Sequence, residues 1–285
     1  MKTPKGLQPL LDDGLIEAVL RPLKSGKEAS VYVVRAGGRE LCAKVYKDLA
    51  QRSFQARVQY QEGRNLRGSR QTRAAARGSK FGRREQETAW KNAEVDALYA
   101  LAQAGVRVPQ PHAYVHGVLL MALVVDADGD SAPRLGEVEL TAGQALEVHA
   151  RLLREVVRML CLDMVHGDLS EYNVLMDADG PVLIDFPQVV SAAGNNAARA
   201  MLLRDVHNLR GSLGRRAPEL LDSHYGEEIW ALYQAGGLRP DSPLTGQFQF
   251  DEGSADVEAV MDSIQDARQV ALIRQQGRAE AAAQD

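Results

Sequence analysis

Two periods of apolar residues alternate along the 285-residue chain, and each switch between them marks an element. Leu11, Leu15, Ile16, Val19 and Leu20 give a short amphipathic start, one helix or a leading strand. A small-residue turn at Ser25-Gly26 precedes the β-branched run Val31–Val34, and Gly37-Gly38 turns the chain into Leu41–Tyr46, which reads as a hairpin. From Glu85 to Ala104 the spacing becomes helical, with Trp90, Ala93, Ala97, Leu98, Leu101 and Ala102 on one face and Gly105 closing it. Val115–Val125 predicts two short strands turning at His116-Gly117 and running into a hinge near Asp126–Asp130. Residues 142–161 predict a long amphipathic helix, 199–213 and 219–233 two more, and 256–278 a terminal one that frays beyond Ala279. Strands crowd the first half and helices the second, so the expected class is α+β in two lobes. The divisions are an N-terminal extension at 1–19, a lobe of antiparallel sheet plus one helix at 20–125, a mainly helical lobe at 126–250, and a C-terminal helix and tail at 251–285.

Composition adds little to that outline, whereas charge adds a good deal. Apolar residues at 45% and charged residues at 25% are ordinary for a globular protein. The net charge of −4 gives no overall attraction to nucleic acid or membrane, but it hides an uneven distribution. Residues 52–84 hold ten Lys or Arg against the single acid Glu62, a local charge of +9 that leaves −13 elsewhere. With four glycines and few large apolar groups, this block predicts a flexible basic loop. Three uses remain open for it: a solvated insertion, a contact for RNA, ribosomes or another polyanion, or a segment phosphorylated at Ser53, Ser69, Thr72 or Ser79. Cys42 and Cys161 lack metal-type spacing and read as small core residues, which fits a cytoplasmic location without a disulfide framework. No run of eighteen apolar residues is present, and Met1–Leu20 has no apolar signal core.

The chemistry concentrates in His166-Gly167-Asp168-Leu169-Ser170-Glu171-Tyr172-Asn173, followed by the apolar run Val182-Leu183-Ile184 ending in Asp185. Phosphoryl transfer calls for this set: one carboxylate to orient the attacking hydroxyl, and an amide plus a second carboxylate to hold metal on the phosphates. A polar loop with acids at strand ends is the plainer alternative. Lys44 lies mid-strand at the parity of Cys42 and Tyr46, so it either points into a cleft toward an anion or faces water on an edge strand. Glu94 falls one turn before Leu98, where it either reaches Lys44 or pairs along its own helix with Lys91 or Arg84; Glu87 and Asp96 are substitutes for the first role. An apolar strand at Val118–Val125 beside a hinge suits an adenine ring, as it would equally suit a buried core strand.

Ser25-Gly26-Lys27-Glu28-Ala29, Ala43-Lys44-Val45-Tyr46, Leu119-Leu120-Met121, the His166–Asn173 run, Ile184-Asp185-Phe186-Pro187-Gln188 and Arg204-Asp205-Val206 together resemble the RIO family of atypical protein kinases. The similarity spans about Leu20–Leu213 and is nearest to the first RIO subfamily and its bacterial relatives. The resemblance implies a two-lobed protein-kinase-like fold, trimmed of the long activation loop and peptide-docking helices. It also implies ATP with Mg²⁺ or Mn²⁺, protein substrates including the chain itself, serine autophosphorylation, and an ATPase-like cycle through the metal-binding Asp. Carried over by position, Asp168 is the catalytic base, with Asn173 and Asp185 as metal ligands. Lys44 holds the phosphates and Glu94 holds Lys44, while Ser25 and Lys27 belong to the phosphate loop. Met121, Ala122 and Val124 flank adenine, the last two through backbone groups. Two other functions compete. One is a small-molecule phosphotransferase of the aminoglycoside or choline kinase type, against which Ser170-Glu171 stands where that family shows His-Pro. The other is an ATP-switched scaffold on RNA or ribosomes.

Overall fold

A computed structural model describes residues 3–26, 29–47 and 93–250. The basic block at 52–84, Lys27, Glu87 and the terminal helix expected at 256–278 therefore lie outside the described residues. The chain divides into two units, Met1–Ala132 with Val182–Val190 and Pro133–Pro181 with Ser191–Asp285.

The first unit is built on five antiparallel strands: β1 (Ala18–Ser25), β2 (Ala29–Ala36), β3 (Arg39–Tyr46), β4 (Pro111–Val115) and β5 (Val118–Ala122), in the order β1-β2-β3-β5-β4. Alternation gives the sheet two faces. On one, Val34, Ala43, Val118 and Leu120 form a core with Leu7, Leu10 and Ile16. Those last three come from a 3₁₀ turn at Lys5–Leu7 and from α1 (Gln8–Asp12) with the loop that follows, so the amphipathic start supplies a short cap and then enters β1. The other face carries Val33, Cys42, Lys44, Tyr46, Leu119 and Met121, paired across strands as Val33 with Cys42, Cys42 with Met121 and Lys44 with Leu119. Residues 93–103 are helical (α2) and bury Glu94, Val95, Ala97, Leu98 and Leu101. Gly105, at φ 76°, ends this helix with two reverse bonds, Gly105 N–H to Ala102 and Val106 N–H to Leu101.

The last strand is shorter than the pattern predicts, ending at Ala122 and leaving Val124 and Val125 outside the sheet. The reason is the turn that follows. Asp126 Oδ1 accepts from the N–H groups of Asp128 and Asp130, each at 3.0 Å, and so folds the chain back to a bridge between Val125 and Ser131.

In the second unit, α3 (Ala142–Cys161) starts at a Thr141–Gln144 capping box and buries Val148, Leu152, Leu153, Val156, Val157 and Leu160. Short strands β6 (Met164–Val165) and β7 (Val174–Asp177) follow, and α4 (Ala198–Gly214) and α5 (Tyr225–Gln234) come later; between them β8 (Gly180–Leu183) and β9 (Val190–Ser191) stand at the two ends of the segment 182–190 that belongs to the first unit. Leu202, Val206, Leu209 and Leu213 of α4 are buried, as are Ile229 and Trp230 of α5. The single helix expected at 219–233 is instead a 3₁₀ turn at Pro218–Asp222 followed by α5. Ser223 Oγ donates to the Leu220 carbonyl, and His224 N–H to Gly246, which together redirect the chain between the two. Cys42 is buried, whereas Cys161, expected in the core, is exposed at the end of α3. Among the described residues no helix is long and apolar enough to cross a membrane.

Candidate active site

In the first unit Lys44 is buried beneath the sheet face it shares with Cys42 and Tyr46, at 9% exposure. Its Nζ donates to Glu94 Oε1 at 2.5 Å and to Asp185 Oδ1 at 2.8 Å. Burial alone would depress the ammonium, but the two carboxylates outweigh it and hold Lys44 above the ordinary lysine range. The ammonium also lies 5.5 Å from the centre of the Tyr46 ring. Burial raises the Tyr46 hydroxyl, and the Glu94 carboxylate raises it further. Burial likewise pushes the Cys42 thiol up to about 12, only partly offset by Lys44, so it stays protonated at neutral pH. Glu94 itself is 3% exposed, while Asp96 two residues on is exposed, so the helical offset alone decides which acid meets the lysine.

Asp185 reaches Lys44 because Leu183 N–H donates to the Arg107 carbonyl at 2.8 Å, pinning 182–190 to the first unit. Its side chain is 48% exposed and its backbone is left-handed, at φ 70°. An Asp tolerates that conformation better than most residues, though it still costs about 1 kcal/mol or more. At the far end of β3, Lys47 Nζ donates to Ser25 Oγ at 3.1 Å and to the Gly26 carbonyl at 2.7 Å. Ser25 Oγ lies 3.2 Å from Ser30 Oγ, and Gly26 N–H donates to the Ala29 carbonyl. That amide therefore closes the turn. Met121 shares the Lys44 face; Ala122 N–H donates to Gln110, and the Val124 carbonyl accepts from Ala132 N–H.

In the second unit Asp168 is exposed between buried Gly167 and Leu169. Its backbone is tied on both sides by one residue from α4: Asp205 accepts from Gly167 N–H at 2.7 Å and from Leu169 N–H at 2.9 Å. Arg204 donates to the Gly167 carbonyl at 2.5 Å, and Asn208 to the Leu169 carbonyl at 3.0 Å. Three side chains from a single helix thus fix the loop, and Gly167 permits its φ of 80°. Asn173 Nδ2 donates to the Asp168 carbonyl at 2.8 Å, which leaves its amide oxygen as the end that can take a cation. Further along, Glu171 accepts from Ser212 and, at 2.6 Å, from Arg215, and Arg134 donates to the Tyr172 carbonyl at 2.6 Å.

The sequence-derived candidates fall into two sets. Lys44 donates to both Glu94 and Asp185 in the first unit, where Ser25 sits on its turn under Lys47. Asp168 and Asn173 are bonded to one another in the second. Sequence reasoning did not foresee the roles of Asp205 or Lys47. The signal for Asp205 was an acid on the apolar face of a helix, with Leu202, Val206 and Leu209 around it. Among the described residues no cluster of three or more His, Cys, Asp or Glu could bind a metal by itself.

A family model described as RIO domain matches residues 30–225. The chain is 32% identical over 212 residues to a RIO-type serine/threonine-protein kinase Rio1 of Haloferax volcanii, covering 74% of this chain and 68% of that protein. It is 31% identical to the Methanocaldococcus jannaschii protein of the same name, over 66% and 60% of the two chains. It is 29% identical to a Schizosaccharomyces pombe serine/threonine-protein kinase rio1, where it spans 65% of this chain but only 36% of the relative. A crystal structure of a kinase domain overlays at 14% identity with a TM-score of 0.42, covering 77% of this chain and 67% of that one.

Proposed function

This chain belongs to the RIO domain family, and on that premise we propose that it is an ATP-dependent serine/threonine protein kinase using Mg²⁺ or Mn²⁺. The observation that carries the reading is the buried Lys44 ammonium held by Glu94 at 2.5 Å and by Asp185 at 2.8 Å. A lysine fixed in this way keeps its charge and its aim, both of which anionic phosphates require.

In the proposed cycle Lys44 steadies the α- and β-phosphates and Glu94 orients Lys44. Ser25 and Lys27 line the phosphate loop. Met121 walls the adenine, which the Ala122 carbonyl and the Val124 N–H bind, the other backbone group of each being engaged within the unit. Asn173 and Asp185 would hold the metal, which neutralises charge as the phosphoryl group leaves. Asp168 orients the acceptor hydroxyl and takes its proton. The hydroxyl oxygen bonds to the γ-phosphorus while the bond from that phosphorus to the β,γ-bridging oxygen breaks, releasing ADP. Acceptors are serines of proteins, the chain itself among them. An aspartyl-phosphate on Asp185, hydrolysed by water, would give the ATPase variant of the same cycle.

A second reading rests on a separate observation, the +9 charge of residues 52–84, which favours RNA or ribosome contact through that segment. The decisive test of the first uses purified chain, γ-labelled ATP and Mg²⁺, with label mapped on this chain and on added protein. Wild type should transfer label. Asp168→Ala should lose about a hundredfold or more of transfer, with ATP affinity retained, because a base acts mainly in the transition state. Transfer to small cationic alcohols in place of protein would favour the aminoglycoside or choline kinase type. A full-rate Asp168→Ala enzyme would overturn the assignment.

A further inference from the structure

We propose that Tyr172 is a docking residue for the acceptor protein, its ring receiving an apolar side chain that flanks the serine offered to Asp168. The inference deepens the kinase reading and rests on it. Tyr172 is 60% exposed, the most exposed large apolar side chain among the described residues. It lies in the 3₁₀ turn Glu171–Asn173, four residues after Asp168. That turn is tied to the Asp168 backbone, since Asn173 Nδ2 donates to the Asp168 carbonyl at 2.8 Å.

A single exposed aromatic is ordinary on a protein surface. Three features set this one apart. The first is rigidity. Arg134 donates to the Tyr172 carbonyl at 2.6 Å, Asn173 N–H donates to the Ser170 carbonyl at 3.0 Å, and just beyond the turn Arg134 bridges Leu175 while Met176 N–H donates to Pro133 at 2.9 Å. A ring on so fixed a backbone loses little freedom on contact, which is why tyrosines serve as anchors in recognition surfaces. The second is that its neighbours are committed. Glu171, its side chain 15% exposed, accepts from Ser212 and, at 2.6 Å, from Arg215, and a Cβ built on Gly136 would come within 3.3 Å of Glu171 Cγ. With Glu171 engaged there and Asn173 engaged by the Asp168 loop, Tyr172 is the side chain of the turn left to meet a partner. The third is charge. Arg215 pairs with Glu171, and Arg134 caps a turn with Glu137, whose carboxylate accepts the Arg134 N–H at 2.9 Å. The charges beside the ring are therefore matched, and what the ring offers an acceptor segment is apolar area.

The test follows label from γ-labelled ATP with Mg²⁺ onto synthetic peptides, each with one serine in an Ala/Gly background and with Phe, Arg, Asp or Ala at each flanking position in turn. The full-length proteins compared are wild type, Tyr172→Phe, which keeps the ring, and Tyr172→Ala, which removes it. For wild type, KM should be about tenfold lower with Phe than with Ala at one flanking position, as expected for one aromatic contact, with kcat the same. Tyr172→Ala should erase that preference by raising KM for the Phe peptide alone, and Tyr172→Phe should keep it. A kcat that falls alike on every peptide in Tyr172→Ala would mean that the ring only supports Asn173, and the proposal fails. Wild type that is indifferent to Phe, that prefers Arg or Asp, or that labels itself but none of the peptides also overturns it while leaving the kinase reading standing. No label on the peptides, on added protein or on the chain itself would bring down both.

Discussion

Asp205 is 1% exposed, and both of its oxygens accept N–H groups that flank Asp168. Burial pushes its carboxyl from 3.8 up to about 7, against the opposing pull of those two bonds and of Arg204. A folded value above the unfolded one means that the folded state holds its proton more tightly. This group's contribution to stability is then complete below about pH 4 and is lost as pH rises through about 7. Catalysis should run the other way. Once protonated, one oxygen becomes a donor facing an N–H, and the loop that presents Asp168 loosens. The expected outcome is a phosphoryl-transfer rate that climbs with pH through about 7, while stability declines over the same window. Denaturant midpoints at pH 5 and pH 8, compared between wild type and Asp205→Asn, check the first half; the rate profile checks the second. An acid limb that persists unchanged in Asp205→Asn would place its origin elsewhere. Among single residues, Lys44 and Glu94 were legible because strand parity and helix offset are local periodicities. The left-handed backbone of Asp185 and the two hydrogen bonds that Asp205 accepts were not, since each depends on contacts between segments far apart in the chain.

Among the elements, α4 does the most to hold the Asp168 loop, and its own anchorage can be tested at its last residue. Gly214 is buried, and a Cβ built there would lie 2.8 Å from Leu221 Cγ and nearer still to one Leu221 methyl, in the 3₁₀ turn that follows. Alanine in place of glycine within a helix ordinarily gains about 1 kcal/mol. Here the clash with a leucine that is 4% exposed should outweigh that gain, because a packed side chain has nowhere to go. Gly214→Ala is expected to lose about 1–3 kcal/mol net, read as a lower Tm, and a raised Tm would show that Leu221 repacks freely. The same region marks the limit of reading elements from sequence. Helix α3 was legible to its ends because Thr141 and Gln144 form a local cap. The break before α5 was not, because it depends on His224 bonding to Gly246, far along the chain. Strand β5 stopped early for a local reason, the Asp126 turn, which an Asp-rich stretch signals only in outline.

For the whole molecule the telling quantity is how charge and chemistry are shared out along the chain. The segment 182–190 belongs to the first unit although it follows the Asp168 loop closely in sequence, so the motif order by itself hid which residues Asp185 would join. Lys44, Glu94, Asp168, Asn173 and Asp185 all lie outside 52–84, where ten basic residues meet one acid. Function and charge are therefore separable by mutation. Replacing six of those arginines by glutamine lowers the segment from +9 to +3 and touches none of the five. If the block binds RNA or ribosomes through phosphates, affinity for RNA should fall steeply in the variant. The slope of log K against log salt should shrink by about 0.7 for each single-strand phosphate no longer neutralised. ATP turnover should stay at the wild-type rate, since none of the groups proposed to handle nucleotide has changed. Measured together, the two quantities discriminate. Affinity and slope that match wild type would reduce the block to a solvated insertion. Turnover that falls along with affinity would instead tie the segment to the phosphotransfer step itself.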